Sequence, residues 1–244
     1  SADGSVIAEW HAGEDRIPVA YADLPPHLVD AVVAIEDQRF WSHTGVDVKA
    51  IARAASVNLE AGEIVQGGST ITQQVVRQQN YVGNERTVVR KIAEARFASE
   101  LENRYTKDQI LEFYLNSVYF GANAYGVKAA SLEYFGKEMD ELTIAEAAAL
   151  VVPIRGPNSF NPRSESESVL VRRNAVVDEM LDNGYITAEE ASAARREPIQ
   201  PIDHRDFEQA DPRLLIEARE TILNDPRYGL GDTYQQRSRA IFGC

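Results

Sequence analysis

Apolar residues recur every three to four positions along most of the chain, which is the spacing of amphipathic helices. The clearest run starts at Pro25-Pro26, a pair that favours a helix start, and continues through Leu28 and Ile35 to Glu36. The same spacing predicts further helices at 46–59, 71–79, 87–101, 106–119, 143–152, 169–183 and 188–195. The pattern therefore predicts a mainly α fold.

The two ends of the chain follow other patterns. Alternation of apolar and polar residues from Val6 to Trp10, a turn at 13–15 and a second arm at 17–19 predict a short β hairpin. Beyond Pro198 the composition shifts to Pro, Asp, His and Arg, which is typical of a connector. We therefore predict an N-terminal hairpin segment at 1–24, a helical domain at 25–198 and a connector at 199–244.

Charge is distributed unevenly along the chain. The 244 residues carry a net charge of −13, which argues against nucleic acid as a partner, because phosphate backbones are bound by clustered Lys and Arg. The stretch 66–96 nevertheless combines five bases with two acids, a net charge of +3: Arg77, Arg86, Arg90, Lys91 and Arg96 against Glu85 and Glu94. This basic stretch is either a solvated helix face or the docking site of an anionic ligand.

Three acidic side chains are candidates for chemistry. Glu36 and Asp37 end a mostly apolar helix beside Phe40 and His43, and apolar surroundings strengthen a carboxylate as a general base. The alternative for this pair is an ordinary solvated helix end, and His43 on its own indicates a structural or supporting role. Glu94 follows Lys91 and Arg90 by three and four positions, so it forms either intrahelical ion pairs or part of a diphosphate site with a metal.

The run from Gly67 to Gln74 combines two kinds of residue. Its glycines let backbone approach a ligand closely, and its hydroxyl and amide side chains can bond to oxygen-rich groups. Ser69 or Thr70 can also cap the helix that follows. A capping turn alone does not need the amides of Gln73 and Gln74.

Four blocks in this order resemble the family 51 glycosyltransferases, the lysozyme-like peptidoglycan polymerases that occur alone or as the first domain of class A penicillin-binding proteins. The blocks are Glu36–Gly45, Gly67–Gln74, Arg90–Glu94 and Lys107–Asn116, and the similarity spans about residues 6–198. A fifth block at 155–162 has Phe160 where the family often has tyrosine. The resemblance implies a lysozyme-like large lobe and a smaller jaw lobe at about 46–66.

The resemblance also implies roles for individual residues. Glu36 matches the base that deprotonates the acceptor sugar, and Asp37 supports it. Glu94 matches a second catalytic glutamate, which is linked to a divalent metal such as magnesium. The substrate-binding residues implied by the same matches are Ser69, Thr70, Gln73, Gln74, Arg77, Arg86, Arg90, Lys91 and Asn116.

The implied substrates are lipid II and the growing glycan chain, both linked to undecaprenyl diphosphate. The implied location is the outer face of the bacterial cytoplasmic membrane, with an N-terminal anchor helix and a transpeptidase domain that this chain lacks. The jaw of the family tends to be apolar and to contact the membrane surface. Here it also carries four charged residues, which argue against a purely apolar contact: Lys49, Arg53, Glu60 and Glu63.

Two other functions compete with this interpretation. A lysozyme-type hydrolase shares the fold but uses its glutamate as a general acid on an uncharged glycosidic bond, and it has no need of the basic stretch. An inactive scaffold for cell-wall assembly needs neither Glu36 nor Glu94. Both glutamates are present, so polymerisation of lipid II is the function we expect.

Overall fold

The structure is a computed structural model that describes residues 15–63, 67–79, 87–156, 160, 162–163, 167–202, 221, 224, 233 and 236. The chain forms two compact units, one at Arg16–Pro201 and one composed of Ser1–Asp15 and Ile202–Cys244. The fold described below is that of the larger unit. The predicted segment boundaries at 24 and 198 stay predictions.

The described part of the chain is mainly helical, so the predicted fold class is confirmed. The helices are α1 (Pro26–Glu36), α2 (Val48–Ala61), α3 (Ile71–Gln78), α4 (Val88–Arg104), α5 (Lys107–Ser117), α6 (Val127–Phe135), α7 (Ile144–Val151), α8 (Glu167–Asp182) and α9 (Ala188–Arg196). A 3₁₀ turn, Val152–Arg155, continues directly from α7. No helix among the described residues has the length and apolar character needed to cross a membrane.

Threonine side chains start most of these helices, as the sequence suggests. Thr70, Thr106, Thr143 and Thr187 each accept a hydrogen bond from the backbone three residues on, and the Gln or Glu at that position bonds back to the threonine N–H. Such a capping box satisfies two backbone donors at once. Thr87 caps α4 through its side chain alone.

A small sheet lies beside the helices. Strands β1 (Asp15–Arg16), β2 (Tyr119–Gly121) and β3 (Ala124–Tyr125) have the order β1-β3-β2, and β2 pairs antiparallel with β3. The helix predicted at 106–119 is therefore too long, because its last residue already belongs to β2. The helix α6 was not predicted.

The predicted N-terminal hairpin has no second strand at 17–19. Pro18 has no N–H to donate, and the backbone of Val19 pairs with a side chain instead of a strand. Its N–H donates to Oδ1 of Asn116 at 2.9 Å, and its carbonyl accepts from Nδ2 of Asn116 at 2.8 Å. The first arm and most of the turn lie outside the described residues.

The core is built around α7. Every residue of α7 after Ile144 is buried, and α1 and α8 pack against it. By contrast α2, all of whose residues are described, buries only Ala54 and leaves Val48 and Leu59 72% and 84% exposed. The helix α2 thus contributes little to the core, and its assignment to a jaw at about 46–66 stays a prediction.

Candidate active site

Glu36 lies where the buried helix α1 reaches a cleft. Its side chain is 5% exposed, and each carboxylate oxygen accepts one hydrogen bond. Nε2 of Gln74, on α3, donates to Oε2 at 2.8 Å, and Nε of Arg155 donates to Oε1 at 2.8 Å. Arg155 also donates to the carbonyl of Ile35. The candidate base is therefore oriented by two donors from separate parts of the chain.

Tyr114 fixes the orientation of the Gln74 amide. Its hydroxyl donates to Oε1 of Gln74 at 3.1 Å, which leaves the amide NH₂ to face Glu36. Burial, and after it the charge of Glu36, holds the pKa of Tyr114 well above its ordinary value of 10.0. The hydroxyl therefore remains a donor at neutral pH.

Asp37 lines the cleft and also connects two helices. It is the C-cap of α1 and is buried. Its Oδ2 accepts from the backbone N–H of Ile71, the first residue of α3, at 3.0 Å, and lies 2.8 Å from Nε2 of His43. A carboxylate at a helix N-terminus is favourable, so Asp37 holds the start of α3 against the end of α1.

The segment from Gly67 to Gln74 divides into cleft residues and capping residues. Ser69 lines the cleft and Gln74 donates to Glu36 at the cleft, whereas Gln73 is buried in the capping box. Thr70 lines the cleft, but its hydroxyl accepts from the Gln73 N–H and donates to the carbonyl of Gly45 at 2.7 Å. A Cβ on Gly68 would lie 3.0 Å from the Ile51 Cα, so glycine lets this segment pack closely on α2.

Glu94 lies on α4 between two cations of its own helix. Its side chain is buried, and its oxygens accept from Nη1 of Arg90 at 2.8 Å and from Nζ of Lys91 at 2.5 Å. The intrahelical ion pairs expected from the spacing are therefore present. Nζ of Lys91 also donates to Oγ of Ser69 at 2.7 Å, which brings the basic stretch to the edge of the cleft. Nε of Arg90 is buried without a hydrogen-bond partner, so its guanidinium retains donor capacity.

The surroundings of Glu94 do not fit a metal ion held by side chains alone. Both oxygens already face cations, and a divalent ion would be repelled by Arg90 and Lys91. Within the described ranges no three His, Cys, Asp or Glu side chains are grouped as metal ligands. The magnesium ion implied by the resemblance stays a prediction.

The remaining predicted residues make no described hydrogen bond or ion pair with Glu36. Arg77 is exposed on α3, and Arg86 lies outside the described residues. The amide of Asn116 is engaged by the backbone of Val19, which is a structural contact. Their roles in substrate binding stay predictions.

Sequence reasoning assigned no catalytic or substrate-binding role to three side chains that line this cleft. They are Arg53 on α2, Arg155 after α7 and Glu179 on α8, whose Oε2 accepts from Nε2 of Gln38 at 2.5 Å. The block at 155–162 could have pointed to Arg155, because it contains a cation at the exit of a buried helix. Its contact with Glu36 spans 119 residues and has no local signal.

The family follows from comparison with known proteins. A family model described as Transglycosylase matches residues 3–181. The chain therefore belongs to the transglycosylase family, and a polar cleft centred on a buried glutamate is the site that its fold presents.

Particular relatives are named penicillin-binding protein 1A. The chain is 45% identical to the Escherichia coli protein over 94% of its own length and 46% identical to the Aquifex aeolicus protein over 76%. A crystal structure of penicillin-binding protein 1A from Haemophilus influenzae matches with a TM-score of 0.53 and 27% identity over 88% of this chain. The chain spans about a quarter of the two curated relatives, 27% and 26%, and 22% of the solved chain.

Proposed function

We propose that this chain is a peptidoglycan glycosyltransferase that polymerises lipid II into β-1,4 glycan strands as part of cell-wall biosynthesis. The observation that carries the proposal is the buried Glu36 carboxylate, held at the cleft by Gln74 and Arg155. Membership of the transglycosylase family supports the class of reaction. The names of the relatives support the same assignment.

Glu36 is the general base of the proposed reaction. Each of its oxygens accepts one hydrogen bond from protein, so a lone pair remains for the proton of the acceptor sugar's 4-hydroxyl. The 4-hydroxyl oxygen of the acceptor sugar attacks the anomeric carbon at the reducing end of the growing chain. A new C–O bond forms, the bond to undecaprenyl diphosphate breaks with its electron pair, and the anomeric centre inverts. No covalent glycosyl-enzyme is required.

The basic stretch stabilises the charge of the leaving diphosphate. Lys91 reaches the cleft edge through Ser69, and Arg90 adds a second cation one residue earlier on α4. Charge-assisted hydrogen bonds from Lys and Arg to phosphate are the strong ones and would act where negative charge develops. Arg77 and Arg86 belong to the same proposal by resemblance.

The cellular setting is part of the proposal. The relatives are about four times as long as the matched region and are named as penicillin-binding proteins, which supports a further, penicillin-binding domain in the full protein. A transpeptidase activity of that domain and a membrane anchor belong to the same proposal by resemblance. The exposed apolar residues of α2, such as Val48 and Leu59, suit contact with the outer face of the cytoplasmic membrane.

Polymerisation of labelled lipid II in detergent tests the proposal, with products resolved on a gel. We expect glycan ladders from the wild type and a rate lower by about 10²–10⁴-fold for Glu36→Gln, which keeps the side chain's shape but not its basicity. Glu100→Gln is the matched control, since Glu100 pairs only with the exposed Arg104 among the contacts described for it.

The outcomes separate the competing functions. Ladders that persist in Glu36→Gln would refute Glu36 as the base. A wild type that makes no ladders but cuts preformed glycan would be a hydrolase. A wild type that binds lipid II and does neither would favour the scaffold.

A further inference from the structure

A second group of ionisable side chains lies mostly buried next to the cleft. It consists of Asp37, His43, Glu102 and Lys107, which come from the end of α1, the following loop, α4 and α5. Asp37 and His43 are 7% exposed, and the side chains of Glu102 and Lys107 are 5% and 20% exposed. The proposed reaction uses only Asp37 of these, as a support. Burying several ionisable groups is costly unless each has a partner.

The two nitrogens of the His43 ring have different neighbours. Nε2 lies 2.8 Å from Oδ2 of Asp37, an acceptor. Nδ1 lies 3.3 Å from Nζ of Lys107, and Glu102 Oε1 is farther away at 3.6 Å. A lysine ammonium can only donate, so the shorter of the two Nδ1 contacts favours an Nδ1 that accepts and an Nε2 that carries the proton. This is the arrangement of the neutral Nε2–H tautomer.

Contacts with other elements hold Lys107 at a position where its own helix disfavours a cation. It is the first residue of α5, where a cation opposes the helix dipole. Its Nζ donates to Oε1 of Glu102 at 2.8 Å and lies 4.5 Å from the ring centre of the buried Phe40. The ammonium is thus directed at His43 by an ion pair and a cation–π contact.

The same group holds the first turn of α3 from two sides. Oδ2 of Asp37 accepts the N–H of Ile71, and Oε1 of Glu102 accepts the hydroxyl of Thr72 at 2.5 Å. The helix α3 carries Gln74 one turn later, and Gln74 donates to Glu36. A displacement of the first turn would therefore displace the donor that orients the candidate base.

We propose that Glu102 and Lys107 are positioning residues that fix His43 as the neutral Nε2–H tautomer. In this state His43 donates to Asp37, and Asp37 with Glu102 holds α3 so that Gln74 reaches Glu36. The effect on catalysis rests on the proposed function of Glu36. The assignment of the tautomer does not.

Nitrogen-15 NMR of the imidazole side chains tests the tautomer in the intact chain at neutral pH. The protein has four histidines, and a variant with His11, His27 and His204 all changed to Gln leaves the His43 signals for assignment. We expect protonated Nε2 and unprotonated Nδ1 in the wild type. An imidazolium or an Nδ1–H tautomer would overturn the proposal without any reference to polymerase activity.

Lys107→Met tests the link to catalysis. Without the ammonium, Nδ1 loses its donor and can take a proton toward Glu102, so we expect the imidazolium and a kcat about tenfold lower with KM for lipid II nearly unchanged. Lys128→Met is the matched control, because Lys128 pairs with Glu138 at 3.0 Å away from the cleft. A variant that keeps the wild-type tautomer, whatever its activity, would contradict the positioning role. A variant that does not fold leaves the wild-type spectrum to decide.

Discussion

Glu36 and Glu94 are both buried carboxylates whose two oxygens accept hydrogen bonds, yet their donors differ in kind. The donors to Glu36 are one neutral amide and one guanidinium, and they come from two other elements of the fold. Those to Glu94 are two cations one turn earlier on the same helix. Tertiary packing thus brings the hydrogen-bond donors to Glu36, whereas the donors to Glu94 lie on its own helix.

The difference separates two tasks that a glutamate can perform in one cleft. At Glu36 the side chain of Arg155 is 52% exposed, so its guanidinium has room to move when a substrate hydroxyl arrives. At Glu94 the buried carboxylate has no such exchangeable partner from elsewhere among its described contacts, so it orders Arg90 and Lys91. We therefore expect chemistry at Glu36 and charge placement at Glu94.

The largest expected effect that separates the two glutamates is that of Glu94→Gln on substrate binding. Arg90 and Lys91 would lose the carboxylate that orders them, and with it their placement for the diphosphate of the proposed substrate, so KM for lipid II should rise about tenfold with a smaller change in kcat. Initial rates against lipid II concentration measure this. Glu100→Gln on the same helix is the control.

Two results would contradict the distinction between chemistry at Glu36 and charge placement at Glu94. A fall in kcat as large as that of Glu36→Gln, with KM unchanged, would assign chemistry to Glu94. A chelator that slows the wild type but has no effect on Glu94→Gln would indicate that Glu94 holds a metal ion after all.

A smaller effect is expected when Arg155 is replaced by methionine. Glu36 would lose one donor, but a half-exposed cation is screened by water, so kcat should fall only about three- to fivefold. Arg104→Met removes an exposed arginine from a pair with Glu100 and should change nothing. A loss comparable to that of Glu36→Gln would make Arg155 as important as the base itself.

The smallest effect is on the titration of Tyr114. Burial and the charge of Glu36 raise its pKa, so Glu36→Gln should lower that pKa toward 10.0 without reaching it, and Glu94→Gln should leave it unchanged. Phenolate absorbance measures the titration of the tyrosines, and comparison with Tyr114→Phe identifies the part of the signal that comes from Tyr114. An equal shift in both variants would mean that the two carboxylates are not electrically separate.

The same shift fixes the sign of a stability change. Because the folded pKa of Tyr114 is raised, its contribution to the free energy of unfolding is complete below pH 10.0 and is lost as pH rises through the folded value. Because Glu36→Gln lowers the folded pKa of Tyr114, the loss of this contribution to the free energy of unfolding should be complete at a lower pH in that variant. Urea unfolding at several alkaline pH values follows it.

Local signals explain what the sequence could predict. The helices α1, α3, α7 and α9 follow from apolar spacing and from proline or threonine at their starts. The helix α6 lacks such a start, since it follows Gly126 with φ +89° and has no side-chain cap. Its apolar residues also surround the helix instead of forming one face, so no amphipathic period marks it.

The sequence predicts the carboxylates of the candidate site better than it predicts the side chains that donate hydrogen bonds to them. Glu36, Asp37 and Glu94 can be found from motifs, and the ion pairs of Glu94 from spacing within one helix. The contact of Arg155 with Glu36 spans 119 residues, and that of Asn116 with Val19 spans 97. Such pairs are set by how whole elements pack, which no local pattern encodes.

A row of small residues lies in the core helix that leads to one of the cleft residues. Ala147, Ala148 and Ala149 on α7 are fully buried, α7 packs against α1, and Glu36 is the last residue of α1. Arg155 ends the turn that continues from α7. A bulkier residue at one of these alanines has no free volume to fill, so we expect it to shift the helices around it and to change the distance between Glu36 and Arg155 without touching the cleft.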